Sequence, residues 1–260
     1  MICCWSSKGG SGTSVVAAAL AIAAARRPNG SLLVDLCGDQ PAVLGRAEPD
    51  GPGVLDWLAD GVDAPPDALG RLEIDVVPGL RLLPAGSADD LDAASASASA
   101  SAPGSPGGSG GAARGATRGA TGAAGRGRRS RERDRSEQAE LLVSLLGSQQ
   151  RQVVVDAGRI DGSSASCARL LATSAVVSLL VVRPCYLALR RVVASGVRPT
   201  AVVVVTEPWR ALTSADVADV VGAPVVAEIA VEGSVARSVD AGLLATRLPR
   251  PLDRALREVR

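Results

Sequence analysis

Histidine and phenylalanine are absent from the 260 residues, and lysine, methionine and tyrosine occur once each. With no histidine, a Ser–His or Cys–His catalytic pair is excluded. A zinc site is not expected either, because the five cysteines (Cys3, Cys4, Cys37, Cys167, Cys185) show no Cys-x-x-Cys spacing. Their odd number and lack of a disulfide framework read as reduced thiols in a cytosolic protein. Aromatic residues make up 2% of a chain that is 47% hydrophobic, so Ala, Val and Leu must fill the core. No apolar run is long enough to span a bilayer, Ala175 to Val182 being typical. A strand-like run starts at Ile2 with no cationic leader, so a signal peptide is not expected. The net charge of +1 does not favour nucleic acid as the main partner.

The scarcity of lysine is informative in itself. Lys+Arg total 28, and every one except Lys8 is arginine. Lys8 lies in the Gly-rich stretch "SKGGSGTS", where a compact ammonium does what a planar guanidinium cannot. The stretch follows a short buried strand, Ile2 to Ser6, and precedes an Ala-rich helix, Ser14 to Arg26, closed by Pro28-Asn29-Gly30. Gly9, Gly10 and Gly12 let backbone N–H groups turn inward on phosphate oxygens, and the helix start adds its positive end.

Further along, "SLLVDL" (Ser31 to Leu36) reads as a strand ending in Asp35. Val54 to Asp60 reads as a short helix, and Ile74–Val77 and Leu80–Leu83 as strands. From Ala94 to about Ser136 the composition collapses to Ala, Ser, Gly and Arg, too poor in bulky apolar residues to offset the entropy of ordering. We expect residues 94–135 to be a disordered insertion and residues 1–93 with 136–260 to form a single domain. The insertion ends with Arg126, Arg128, Arg129, Arg131, Arg133 and Arg135 against Glu132 and Asp134. That run is either a solvated linker or a contact for anionic membrane or nucleic acid.

After it come a helix (Glu137 to Leu146) and "QVVVDAG" (Gln152 to Gly158), a β-branched strand carrying Asp156. Helices Ser164–Thr173, Leu187–Ser195, Ser214–Val221 and Val235–Ala241 alternate with strands Val176–Val182, Thr200–Val205 and Val225–Ile229, before a last helix Pro251–Val259. Continuous apolar strands alternating with helices predict an α/β fold with a doubly wound, mostly parallel sheet. Ligands of such sheets sit at the carboxyl ends of the strands, where the Gly-rich loop, Asp35 and Asp156 converge. Ser14 could offer its hydroxyl to Mg2+, with Asp156 holding the ion through water.

"KGGSGTS" resembles the deviant Walker A loop of the ParA/MinD family of P-loop ATPases, whose pattern is K-G-G-x-G-K-[ST]. Lys8, Gly9, Gly10, Gly12 and Ser14 match it, and "LLVDL", "VVVDAG", "LLPAG" and "EIAVEGSVARSVDAG" resemble further family segments in the same order. The resemblance implies a P-loop NTPase-like fold, ATP with Mg2+ as cofactors, and a homodimer in which Lys8 reaches the partner's phosphates. It implies nucleotide contacts from Lys8, Gly9, Gly10, Ser11, Gly12, Thr13 and Ser14, and metal contacts from Ser14 and Asp156. Lys8 and Asp35 take catalytic roles on this reading. Three positions depart from the pattern. Thr13 replaces the lysine that reaches the protein's own nucleotide, Cys37 replaces the second acid of a D-x-D pattern, and Thr206-Glu207 stand where an adenine-reading Asn is common. Asp39 is the acid that could stand in for Cys37.

The expected function is therefore a nucleotide-binding switch with weak or slow hydrolysis that positions or assembles a cargo, with a protein partner in a positioning, secretion or pilus system. It would be cytoplasmic, and peripheral at the membrane if the tail "PLDRALREVR" or the Arg-rich run binds lipid. The tail's Leu252, Ala255, Leu256 and Val259 share one helical face, which suits either lipid or the sheet. A scaffold that no longer uses nucleotide, and a metabolic member of the wider fold such as an amide ligase, are the other two readings. Adenine and guanine are not distinguished by sequence.

Overall fold

The computed structural model describes residues 1–60, 65, 67–86, 134, 136–161 and 166–259. The expected insertion lies outside the described residues apart from Asp134. Eight strands form one sheet: β1 (Ile2–Ser6), β2 (Ser31–Asp35), β3 (Ile74–Val77), β4 (Leu80–Leu83), β5 (Gln152–Arg159), β6 (Val177–Val182), β7 (Ala201–Thr206) and β8 (Val225–Ala230). Their order is β3-β4-β2-β5-β1-β6-β7-β8. All neighbours are parallel except the β3–β4 hairpin at one edge. This is the doubly wound, mostly parallel α/β sheet expected from sequence, and it draws strands from both sides of residues 94–133.

The central strands are buried on both faces, so successive residues feed two different cores. Cys3, Trp5, Val155, Leu180 and Val204 point to one side. Cys4, Val154, Leu179, Val181 and Val203 point to the other, under α1 (Thr13–Ala24). Alanine makes this second layer thin: Ala17, Ala18, Ala19 and Ala21 are fully buried, which lets α1 lie close on the sheet. The helix is apolar all round because the chain's last segment covers its outer side. Leu252 and Leu256 of that segment are buried in the α1-side core, and Ala255 and Val259 pack against it. The apolar face of the tail is therefore occupied by the protein's own core. Among the described residues no helix is long and apolar enough to cross a membrane.

Most element boundaries match expectation within two residues; the helix expected from Ser164 falls partly outside the described residues. The differences have local causes. The first helix opens at Thr13, one residue early, because Gly12 takes a left-handed φ of 87° and ends the loop there. The last helix stops at Ala255 and tightens into a 3-10 turn over Arg257–Val259. Two short helices, Gln40–Val43 and Ala68–Arg71, were not anticipated. Trp5 and Trp57 are buried as packing residues, whereas Trp209 is 84% exposed. Cys3 and Cys4 are core thiols, both pushed up from the ordinary thiol value, first of all by burial.

Candidate functional site

The loop from Ser7 to Gly12 leaves β1 and enters α1. Its base is pinned by Ser7, whose hydroxyl donates to the Ala188 carbonyl at 2.8 Å. Ser11 closes the turn by donating to the Lys8 carbonyl at 2.7 Å. Gly10 and Gly12 have φ of 75° and 87°, a region that residues with a Cβ rarely enter. Above Gly9 and Gly10 nothing lies within 4 Å of where a Cβ would stand, so this side of the loop is open. The N-terminal end of α1 carries no side-chain cap. Its free N–H groups and positive dipole therefore face that opening, a disposition suited to a polyanion.

Two clusters flank the loop. On the β6–β7 side, Glu207 accepts from Arg183 Nη1 at 3.1 Å and from Arg210 Nε at 2.6 Å. The Arg210 hydrogen bond does most to hold the Glu207 carboxyl below its usual range, and the Arg183 and Lys8 charges add to this. Lys8 is half-buried, and its charge is felt at Glu207.

On the β2–β5 side stand the two strand-end carboxylates. Their strands run parallel in register with Asp35 opposite Asp156, and both residues have 0% exposure. Asp35 accepts three backbone N–H groups: Cys37 and Gly38 on Oδ1, both at 2.9 Å, and Gln40 on Oδ2 at 3.0 Å. It thus anchors the turn that leads into the Gln40–Val43 helix. Asp156 accepts from Gly158 N at 3.1 Å on Oδ1, and from the Gln40 side-chain amide at 2.7 Å on Oδ2. The Cys37 thiol is 3.2 Å from Asp156 Oδ2 and 3.5 Å from Asp35 Oδ1.

Burial pushes Asp35 up to about 6, the charge on Asp156 adds to this, and the three backbone donors oppose it. Burial also raises Asp156, against hydrogen bonds led by Gln40. The Cys37 thiol goes up by burial first, then by the two acids, and stays protonated. Ser14 connects this cluster to the loop. Its hydroxyl is 3.4 Å from Asp39 Oδ2 and 3.9 Å from Cys37 Sγ.

Ser14, Asp35, Cys37, Asp39 and Asp156 thus meet at one place beside the loop, while the Lys8 charge acts on Glu207 on the other flank. Thr13 is buried at 6% exposure and Asp39 is exposed. The fold carrying this site has close counterparts among solved structures. A ParA family ATPase from Chlorobium tepidum TLS superposes with a TM-score of 0.62 at 18% identity, over 98% of this chain and 95% of that one. The fold is that of the ParA/MinD ATPases. The septum site-determining protein MinD from Pyrococcus horikoshii OT3, complexed with Mg-ADP, gives 0.62 at 16% identity over 98% and 91%. A point variant of McdA from Cyanothece, as an ATP complex, gives 0.64 at 14% over 100% and 96%. No protein-family model and no curated protein matches the sequence.

Within the ParA/MinD fold, Gln40 is the residue of the candidate site that sequence reasoning missed. It is fully buried, and its amide Nε2 bridges Asp156 and, at 3.0 Å, the Ser14 carbonyl. A signal was present: Asp39 followed by Pro41 is a helix-start pattern, which would have put residue 40 in the first turn.

Proposed function

We propose that this chain is a nucleotide-dependent switch of the ParA/MinD type, which binds ATP with Mg2+ and hydrolyses it weakly or slowly. The observation that carries the reading is the open loop of left-handed glycines at the head of α1, with two buried strand-end carboxylates beside it. The Mg-ADP and ATP complexes of similar folds support it. Backbone N–H groups of residues 9–14 hold the phosphates, with Ser11 bracing the loop through Lys8. The residues present fit a magnesium ion: Ser14 offers a hydroxyl, and Asp156 has acceptor capacity to spare. When bound, Mg2+ neutralises phosphate charge.

Thr13 supplies no cation of its own. Losing a charge-assisted contact costs about 1.5–3 kcal/mol, or roughly one to two decades of affinity. Lys8 makes up part of this by acting across a homodimer on the partner's nucleotide. In the free protein the acid that feels the Lys8 charge is Glu207, which Arg183 and Arg210 already pair. Asp35 positions the turn carrying Cys37 and Asp39. Asp39, exposed and within reach of Ser14, is the acid that orients water in place of the thiol. Such a switch acts in the cytoplasm to position or assemble a cargo through a protein partner, and the Arg-rich run before residue 136 makes any contact with anionic membrane or nucleic acid.

The test is a titration with Mg-ATP followed both by binding heat and by oligomeric state. Saturable binding with dimer formation is expected. The second reading, a scaffold that uses no nucleotide, is favoured by the Thr13 and Cys37 replacements and predicts no saturable signal at millimolar ATP.

A further inference from the structure

Asp35, Cys37 and Asp156 each bring one ligand atom to within 4.8 Å of the other two. The thiol stands 3.2 Å from Asp156 Oδ2, close to a ligand–ligand edge of a tetrahedral ion, and on Asp35 the lone pair left by the backbone donors is on Oδ2. Such an ion has metal–sulfur bonds of about 2.3 Å and metal–oxygen bonds of about 2.0–2.2 Å. Two further observations point to a cation. Among the described residues no Lys or Arg pairs with either buried carboxylate. Buried charges in proteins are paired or coordinate metals. One S–H proton serves only one of the two acids.

The second observation is Gln40. Its Oε1 is buried without a hydrogen-bond partner. The same amide is fixed by Nε2 at 2.7 Å from Asp156 Oδ2, which keeps Oε1 within about 5 Å of that oxygen. An unsatisfied carbonyl oxygen at the edge of an acidic cluster is an available ligand. Acceptor capacity also remains on the acids. An ionised carboxylate offers about four lone-pair sites. Backbone donors take three on Asp35; Gly158 N, Gln40 Nε2 and Ser14 take three on Asp156, and the fourth is the one the Cys37 S–H occupies until it is lost.

We propose that Asp35, Cys37 and Asp156 form a binding site for a borderline-soft divalent cation of the Zn2+ or Co2+ class, ligated through the Cys37 thiolate and independent of nucleotide. Magnesium prefers oxygen ligands in octahedral array, so the sulfur selects against it. Binding breaks the S–H bond, forms a metal–sulfur bond and releases one proton to solvent. The site's remaining face is toward Ser14, and through it toward the loop that lacks a lysine at Thr13. An ion there adds positive charge beside the loop whether or not the loop takes a nucleotide.

The experiment uses the full chain, reduced and stripped with chelator, titrated with Co2+ in the absence of nucleotide. A thiolate-to-cobalt charge-transfer band in the near ultraviolet, saturating at one ion per chain, is expected. Cys37→Ser should abolish the band and weaken Zn2+ competition at least tenfold, with an unchanged circular-dichroism spectrum. Cys185→Ser, altering a thiol outside this group of three, should keep the band. Asp156→Asn is the second variant and should weaken binding at least tenfold. Absence of a saturable band in the wild-type chain, a band retained in Cys37→Ser, or displacement of Co2+ by millimolar Mg2+ would each overturn the proposal. Because no nucleotide is present, the titration reads this ion site apart from ATP binding, although both draw on Asp156.

Discussion

Replacing Asp156 by asparagine should make the ligand-free, metal-free protein more stable at neutral pH, the reverse of what deleting a hydrogen-bonded buried acid usually does. Asp35 and Asp156 face each other in register at 0% exposure, and no cation among the described residues separates them. The Asp35 carboxyl is pushed from 3.8 to about 6. At 1.36 kcal/mol per pH unit, keeping it ionised above pH 6 costs roughly 3 kcal/mol of stability. Burial is the first cause and the Asp156 charge the second, so neutralising Asp156 returns the smaller part of this, together with the desolvation cost of Asp156 itself. If the Gln40 amide turns, its free Oε1 can accept from the new Asn N–H, but Nε2 then gives up its bond to the Ser14 carbonyl, which offsets part of the gain. The sign follows from a folded pKa above the unfolded one. The favourable contribution is complete below about pH 3.8 and is lost as pH rises through about 6. Urea midpoints in chelator should therefore fall for the wild type between about pH 5 and about pH 7.5, with a shallower fall in the variant. A variant less stable than wild type at about pH 7.5, or one with the same pH slope, would refute the account of the paired acids.

Lys8→Ala should abolish ATP-dependent dimerisation while leaving the melting temperature of the free protein unchanged, because Lys8 belongs to neither core; sedimentation velocity with and without Mg-ATP reads it. Thr13→Lys should tighten ATP binding about 10–100-fold by restoring a cation in cis, measured by fluorescent-analogue titration. Leu256→Ala, at a fully buried position under α1, should cost about 2–5 kcal/mol in urea unfolding, an effect absent if the tail were a free lipid anchor. Trp209→Ala should change stability by less than about 0.5 kcal/mol and remove most of any fluorescence response to nucleotide, since Trp5 and Trp57 are buried.

The parts of this molecule written in continuous apolar runs could be read directly. β5, β6 and β7 lie within one residue of the bounds expected from sequence. Val, Ile and Leu in unbroken stretches have no stable place other than a doubly covered sheet. The phosphate loop was legible for a different reason: its glycines are needed at positions where the backbone must turn left-handed. The short helices at Gln40 and Ala68 have four residues each and too few apolar positions to show a period.

What was not legible is the acid–thiol cluster, and the reason lies in how metal sites are sought in sequence. Spacing rules look for Cys and His close along the chain, and by those rules this chain has no site. Here the thiol and one acid lie two residues apart, while the second acid is 119 residues from the thiol. Parallel pairing of β2 with β5 brings them together. Both strands read Val-Val or Leu-Val followed by Asp, and parallel strands in register must set like ends side by side. Two buried acids at adjacent strand ends are a conflict that the fold has to resolve with a proton, a donor or a cation. The Gln40 amide, the three backbone N–H groups on Asp35 and the Cys37 thiol provide the donors. The replacement of an acid by Cys37 then has a physical reading of its own: a third carboxylate at that point would add a third like charge, whereas a thiol stays neutral until an ion arrives.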